Sequence, residues 1–341
     1  MASLNQIQQK QEREIYNAFM TAIREVKDQA VISELANLIN VGDINGVIDL
    51  LQLSPATYEK LEESIRTTYA IGGATGANQL GRIPTPKGTL VLRFNTRAPA
   101  AEKWLSELSS TRIVEISNET RQVVRSLLTQ GIEVGRGPRS VALDLVGRID
   151  PVSKNRVGGA IGLTDSQSEW AIEARRELEN LNPNYLTRKL RDKRLDGAFK
   201  KAIESGEPMP EKQIDAAVSR LQARTLRYRG ENIARTESLS ALSEGQNTAI
   251  QQAIETSELD ADTIKLWDSS ADGRTRPDHM AVEDSYPDGI PFDQSFNVGG
   301  TMMRWPRDPA GGAAQVINCR CKLITRVNFA GMAAKELKGF G

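Results

Sequence analysis

The chain contains a single histidine, His279, and two cysteines, Cys319 and Cys321. All three fall between positions 279 and 321. In an extended segment, residues i and i+2 point to the same face. Cys319 and Cys321 can therefore present two sulfurs side by side. Neighbours this close rarely form a disulfide with each other, because the geometry is poor. They suit a soft metal better. With His279, and with Asp272, Asp278 or a water as fourth ligand, the set fits a tetrahedral Zn²⁺ site. Two other readings stay open on the residues alone: structural cysteines beside a hydrogen-bonded histidine, and a reactive thiol.

The same region holds the dense polar run Asp272-Gly273-Arg274-Thr275-Arg276-Pro277-Asp278-His279. Asp-Gly supports a tight turn, and two arginines near two aspartates suggest ion pairs. A structural polar cluster of Arg235, Glu237, Arg274, Arg276 and Asp278 is expected. Arg235 and Glu237 lie two apart and face different ways on a helix. A catalytic alternative casts His279 as general base and Arg274 as an anion clamp. No Ser-His-Asp order, phosphate loop, GxGxxG element or paired-carboxylate signature supports it, so no enzyme activity is expected.

A second charged region runs from Arg188 to Lys201, with seven basic residues against two acidic ones. If Arg188, Lys189, Arg191, Lys193 and Arg194 align, they could contact DNA phosphates without reading sequence. Few aromatics lie nearby, so base stacking is not indicated.

The elements that must position these residues are mostly helical. Ile15, Phe19, Ile23 and Val26 form one stripe of a 3.6-residue period, and Ile32, Leu35 and Leu38 read as its continuation or as a second, turn-linked helix before Gly42. Ser54-Pro55 signals a helix start, and that helix should run to about Tyr69. Residues 71–98 contain five glycines and two prolines and read as a Gly/Pro-rich extended segment. Helical signals resume at Asn118 and stop at Gly131. Gly137-Pro138 opens a helix through Leu145. Thr164 and Gln167 have capping-box spacing ahead of a helix carrying Trp170, Ala174, Leu178 and Leu181 on one face. A long helix starts at Pro210 and reaches about Ile254. Short strand-like runs then appear at 264–267, 301–305 and 322–327. The expected fold class is α+β: a largely helical N-terminal region and a small mixed α+β C-terminal module. The expected division is 1–115, 116–230, 231–329 and a tail at 330–341.

Composition bounds the function classes. The 341 residues carry 44 Lys+Arg and 44 Asp+Glu, so net charge selects no partner. The chain is 39% hydrophobic and 26% charged, ordinary globular values. No run approaches the roughly 20 apolar residues of a membrane helix, and the polar N-terminus lacks a signal-peptide core. Cytoplasmic synthesis and no membrane anchor are expected. Two cysteines exclude a disulfide scaffold.

Taken in order, Ile233-Ala234-Arg235-Thr236-Glu237, Lys265-Leu266-Trp267, Asp272 to His279, Pro291-Phe292, Trp305-Pro306-Arg307-Asp308-Pro309 and Asn318-Cys319-Arg320-Cys321 form a series. Over about residues 225–328 this series resembles the C-terminal module of the phage head morphogenesis family, the Mu F-type minor head proteins of tailed bacteriophages. The resemblance implies a virion structural protein present in few copies inside the head or at the portal vertex, assembled in the host cytoplasm. Its implied roles are head morphogenesis and genome packaging or ejection. Its implied partners are the portal protein, the major capsid protein and packaged double-stranded DNA. The family's His and Cys positions map onto His279, Cys319 and Cys321. Some relatives carry a fused toxin domain; with the sequence ending at Gly341, none is expected here. The competing expectations are a metal-dependent hydrolase and a non-sequence-specific DNA-binding protein carried in the virion.

Overall fold

The computed structural model describes residues 4–80, 82–85, 88–151, 153–256, 263–270 and 272–327. Helices α1 (Leu4–Gln29), α2 (Ile32–Asn40), α3 (Ile44–Leu50) and α4 (Glu59–Gln79) come first. The hairpin β1 (Arg82–Thr85) and β2 (Gly88–Val91) follows, then α5 (Pro99–Lys103), α6 (Ser109–Glu133) and α7 (Pro138–Val146). Strands β3 (Arg148–Ile149) and β4 (Arg156–Val157) precede α8 (Asp165–Glu179), α9 (Asp196–Ser205) and the long α10 (Glu211–Glu255). The C-terminal module contains β5 (Ile264–Asp268), α11 (Pro277–Ser285), β6 (Ile290–Pro291), β7 (Phe296–Val298), β8 (Thr301–Met303), α12 (Gly312–Val316) and β9 (Lys322–Arg326). The chain is thus α+β, with long helices up to Glu255 and a small module of antiparallel sheets after it. Among the described residues, no helix is long and apolar enough to cross a membrane. The tail expected at 330–341 lies outside the described residues.

Two compact units make up the chain. One comprises Met1–Tyr16, Glu62–Ser110 and Asn232–Gly341; the other comprises Asn17–Leu61 and Thr111–Glu231. The divisions fall inside α1, α4, α6 and α10. The boundary placed at 230–231 from the sequence sits beside the division in α10. The one placed at 115–116 falls within α6.

The second of these units is helical apart from the β3–β4 pair. The stripe of α1 is buried as its period predicts, with Phe19 at 0% exposure and Ile23 at 1%. Thr164 caps α8: its Oγ1 accepts from the Gln167 backbone N–H at 3.3 Å, and Gln167 Oε1 accepts from the Thr164 N–H at 3.2 Å. Ala171, Ala174 and Leu178 pack inward with Tyr185, Phe199 and Leu221. Trp170, expected on that face, is 46% exposed. Steps of four residues overshoot the 3.6-residue turn by about 40° each, so Trp170 rotates away from the face Leu178 occupies. Leu181 lies beyond the helix end, at φ 55°. Helix α6 starts at Ser109 rather than Asn118, and the extra turns bury Ile113 and Ile116.

Lys27 is buried in this unit. Its Nζ donates to Gly158 O at 2.8 Å and Gly159 O at 3.3 Å. Burial pushes its ammonium down to about 7. An unfolded lysine keeps its proton to a much higher pH, so between about pH 7 and 10 the unfolded chain binds the extra proton. Stability from this group therefore rises with pH across that window.

In the first unit, the sequence reading of residues 71–98 is corrected. Helix α4 does not stop at Tyr69; it continues through Gly72, Gly73 and Gly76 to Gln79. These glycines sit where another backbone or a ring comes too close for a side chain. A Cβ on Gly72 would lie 2.8 Å from Leu242 Cα, and one on Gly76 would lie 2.9 Å from Gln246 Cα. Gly245 of α10 answers from the other side: its Cβ would meet Tyr69 O and come within 2.6 Å of Gly73 N. The packing of α4 on α10 repays the helix-propensity cost of glycine, about 1 kcal/mol per residue. Gly73 also faces the Phe94 ring. That ring packs edge-on to Tyr69 at 5.6 Å, and Tyr69 stacks on Trp104 at 4.1 Å. Within the segment, Arg82–Thr85 and Gly88–Val91 are extended, as the β1–β2 hairpin.

In the module, β5 pairs with β6 on one edge and β9 on the other, both antiparallel. β7 and β8 form a separate hairpin. Trp267, Val282, Phe296, Val298, Met303 and both cysteines share one apolar cluster.

Two outcomes follow. Gly245→Ala should lower stability by about 1–3 kcal/mol or more, because two backbones must separate to admit one methyl; chemical denaturation measures this. Lys27→Met should flatten the rise in stability between pH 7 and 10 seen in the parent, measured as the difference between their unfolding free energies across that range.

Candidate metal centre

Three segments bring the centre together. Pro277 starts α11, and one turn in, the His279 N–H donates to Arg276 O at 3.0 Å. Cys319 and Cys321 lie between α12 and β9, after a turn in which Asn318 takes φ 57°. Both cysteines are free. His279 Nδ1 lies 3.4 Å from Cys321 Sγ and 3.5 Å from Cys319 Sγ. The three candidate ligand atoms all lie within 4.8 Å of one another. The residues are 1%, 3% and 2% exposed. Zn–S and Zn–N bonds of about 2.3 and 2.05 Å at a tetrahedral angle imply N···S separations near 3.6 Å. The group could hold a metal ion with little rearrangement. Its separations also suit S–H···N hydrogen bonds.

The tautomer of His279 favours ligation. Its Nε2 lies 2.9 Å from Gln315 Oε1. Gln315 Nε2 in turn donates to Asp278 Oδ2 at 3.1 Å. A carboxylate can only accept, so it orients the amide with Oε1 toward the imidazole. Nε2 of neutral His279 then carries the hydrogen, and the Nδ1 lone pair faces the sulfurs. This is the arrangement metal-binding histidines adopt, with the second nitrogen held by an outer hydrogen-bond partner. Trp267 packs edge-on to the ring at 5.3 Å and fixes its plane.

Arg307 supplies the electrostatics. It is 3% exposed, at φ 72°. Nη1 donates to Cys321 O at 2.6 Å and Cys319 O at 3.2 Å, and Nη2 donates to Ser243 Oγ. Among the described residues it forms no ion pair with a carboxylate. Burial pushes its pKa down, and the nearby sulfurs oppose that shift. The Cys321 thiol donates a hydrogen bond to Cys319 and, with the Arg307 guanidinium, holds the Cys319 thiol well below the ordinary range. The shared proton and burial push Cys321 up. Thiolate character at the pair thus balances the guanidinium.

Among the described residues, Arg235, Arg274, Arg276 and Asp278 turn to different partners. Asp272 is not part of the metal group: its carboxylate pairs with Arg274 at 3.1 Å and Arg320 at 3.4 Å, and Thr275 Oγ1 donates to it at 3.3 Å. That correction leaves the fourth position to water or an outside ligand, since Asp278 holds Gln315. Arg276 Nη2 donates to Ile317 O at 2.7 Å. Arg235 does not reach the Asp/Arg turn; it donates to Asn318 Oδ1 at 3.2 Å and pairs with Glu12 at 3.3 Å. Beside it, Thr236 Oγ1 accepts the Asn318 N–H at 3.3 Å. Glu237 is half-buried on α10. Gln315 carried no sequence signal, since one glutamine among many has no spacing that marks it.

The arginines of the basic segment are paired with carboxylates. Arg188 makes two hydrogen bonds to Glu177, and Arg191 makes two to Asp196. Arg194, Arg220 and Arg224 converge on Asp192, which is 1% exposed. Hydrogen bonds from Arg194 hold its carboxyl well below the usual range. Lys189 and Lys193 are exposed.

Comparison with protein-family models, with curated proteins and with solved structures returned no match.

Purified protein supplied with zinc should bind one equivalent, measured by elemental analysis, with melting temperature falling when a chelator is added. Cys319→Ser, Cys321→Ser and His279→Ala should each abolish it. Gln315→Leu should weaken it by about 10–100-fold, and Asp272→Asn should leave it unchanged. Metal-free protein with a chelator-insensitive melting curve would refute the site.

Proposed function

We propose that the chain is a minor head structural protein of a tailed bacteriophage, and that Zn²⁺ at His279, Cys319 and Cys321 stabilises its C-terminal module. One observation carries this reading. The short segments that form the resemblance, scattered over residues 233 to 321, serve one another. Arg235 and Thr236 hold Asn318; Trp267 packs on His279; Asp272 pairs with Arg320; Arg307 holds the carbonyls of both cysteines. A coincidence of unrelated short words gives no reason for such mutual support.

The chemistry of the centre fits a structural role. All three candidate ligands are at most 3% exposed, which leaves a polymeric substrate no approach to a metal-bound water. A hydrolase would need that approach. The portal protein and the major capsid protein are the proposed partners, and the virion head is the proposed location. Packaged double-stranded DNA is a further proposed neighbour, contacted through the exposed Lys189 and Lys193 rather than through the paired arginines.

Mass spectrometry of gradient-purified heads from the phage that carries the gene should find this chain at low copy number. Heads of normal composition and infectivity from a phage lacking the gene, with the chain absent from wild-type particles, would overturn the proposal.

A further inference from the structure

Strand β9 pairs with β5 along one edge only, and its other edge has no strand partner among the described residues. Beside it lies a cavity of about 380 Å³, wholly within the first unit. Four consecutive residues of β9 line it: Lys322, Leu323, Ile324 and Thr325. Successive side chains of a strand point to opposite faces. A cavity above one face of the sheet would touch alternate residues. Contact with four in a row, and with Asp268 opposite Lys322 on β5, places the cavity across the Lys322 end of the sheet, where β9 is the outer strand.

The opposite wall suits a peptide. Leu80, Leu239 and Leu242 give it an apolar floor, and Gln79 and Gln246 place amide groups along it. Each glutamine offers both a donor and an acceptor, as a peptide backbone requires. The lining of β9 spans about 13 Å at the rise of an extended strand.

We propose that this groove binds an extended segment of another protein by strand addition to β9, and that the segment carries acidic, apolar and acidic side chains at alternate positions. Main-chain hydrogen bonds supply affinity in this mode and alternate side chains supply specificity. The exposed positions of β9 are Lys322, Ile324 and Arg326, with Leu323 and Thr325 half-buried between them. Acid–apolar–acid is the complement of that face. A second copy of β9 paired in register about Ile324 does not fit. Antiparallel pairing of two β9 strands about Ile324 sets Lys322 opposite Arg326, and parallel pairing in register sets each cation opposite itself. Like charges directly across a ladder are destabilising. The same two cations protect the edge against self-association.

Fluorescence anisotropy with the full chain tests this, using a labelled peptide with the core Glu-Thr-Val-Thr-Glu and its twin with lysine at both glutamates. The acidic peptide should bind at least tenfold more tightly than the twin. The double variant Lys322→Glu, Arg326→Glu should invert that order. Hydrogen exchange of the β9 amides in the unaltered protein should slow when the acidic peptide is added. Failure of both peptides to bind, binding indifferent to the charge reversal, or protection of β9 through dimerisation would each overturn the proposal.

Discussion

A guanidinium with no carboxylate partner among the described residues sits at the centre of the C-terminal module. Arg307 is buried, and it spends its donors on the carbonyl oxygens of Cys319 and Cys321 and on Ser243 of α10. An isolated buried cation is costly, so the fold must bring compensating negative charge close to it. The two sulfurs are placed to carry that charge. The bonds from Arg307 Nη1 to the two carbonyls also fix the path of Cys319-Arg320-Cys321, which aims both sulfurs at one imidazole nitrogen. Charge balance and ligand geometry therefore have a single cause.

The surrounding contacts extend this constraint in two directions. Toward α10, Arg235 and Thr236 hold the turn at Asn318 that admits the cysteine segment. Toward α11, Asp278 and Gln315 hold His279 in the tautomer that leaves Nδ1 free for the sulfurs. Lys322 follows Cys321 directly, so the strand that closes the sheet starts where the ligand pair ends. The open edge of β9, and the groove beside it, inherit their position from the same few contacts.

The long helices meet a different constraint. Helices α4 and α10 approach until backbone touches backbone, and glycine alone permits it at 72, 76 and 245. This contact turns a segment of poor intrinsic helicity into helix. Propensity gives the local preference, and packing overrides it where the neighbouring surface leaves no room for a side chain.

Periodicity and caps determined α1, α7, α8 and α10 from the sequence, because an apolar stripe and a capping residue are local properties. The rarity of His and Cys singled out His279, Cys319 and Cys321, and tertiary structure put their ligand atoms within reach of one another. It alone decided the rest. Asp272 turned to arginines rather than to the sulfurs, and Arg188, Arg191 and Arg194 each found a carboxylate. Gln315 took the role of orienting the imidazole. Those choices depend on which charges the folded backbone brings within hydrogen-bonding distance, and no spacing along a chain encodes a distance across it.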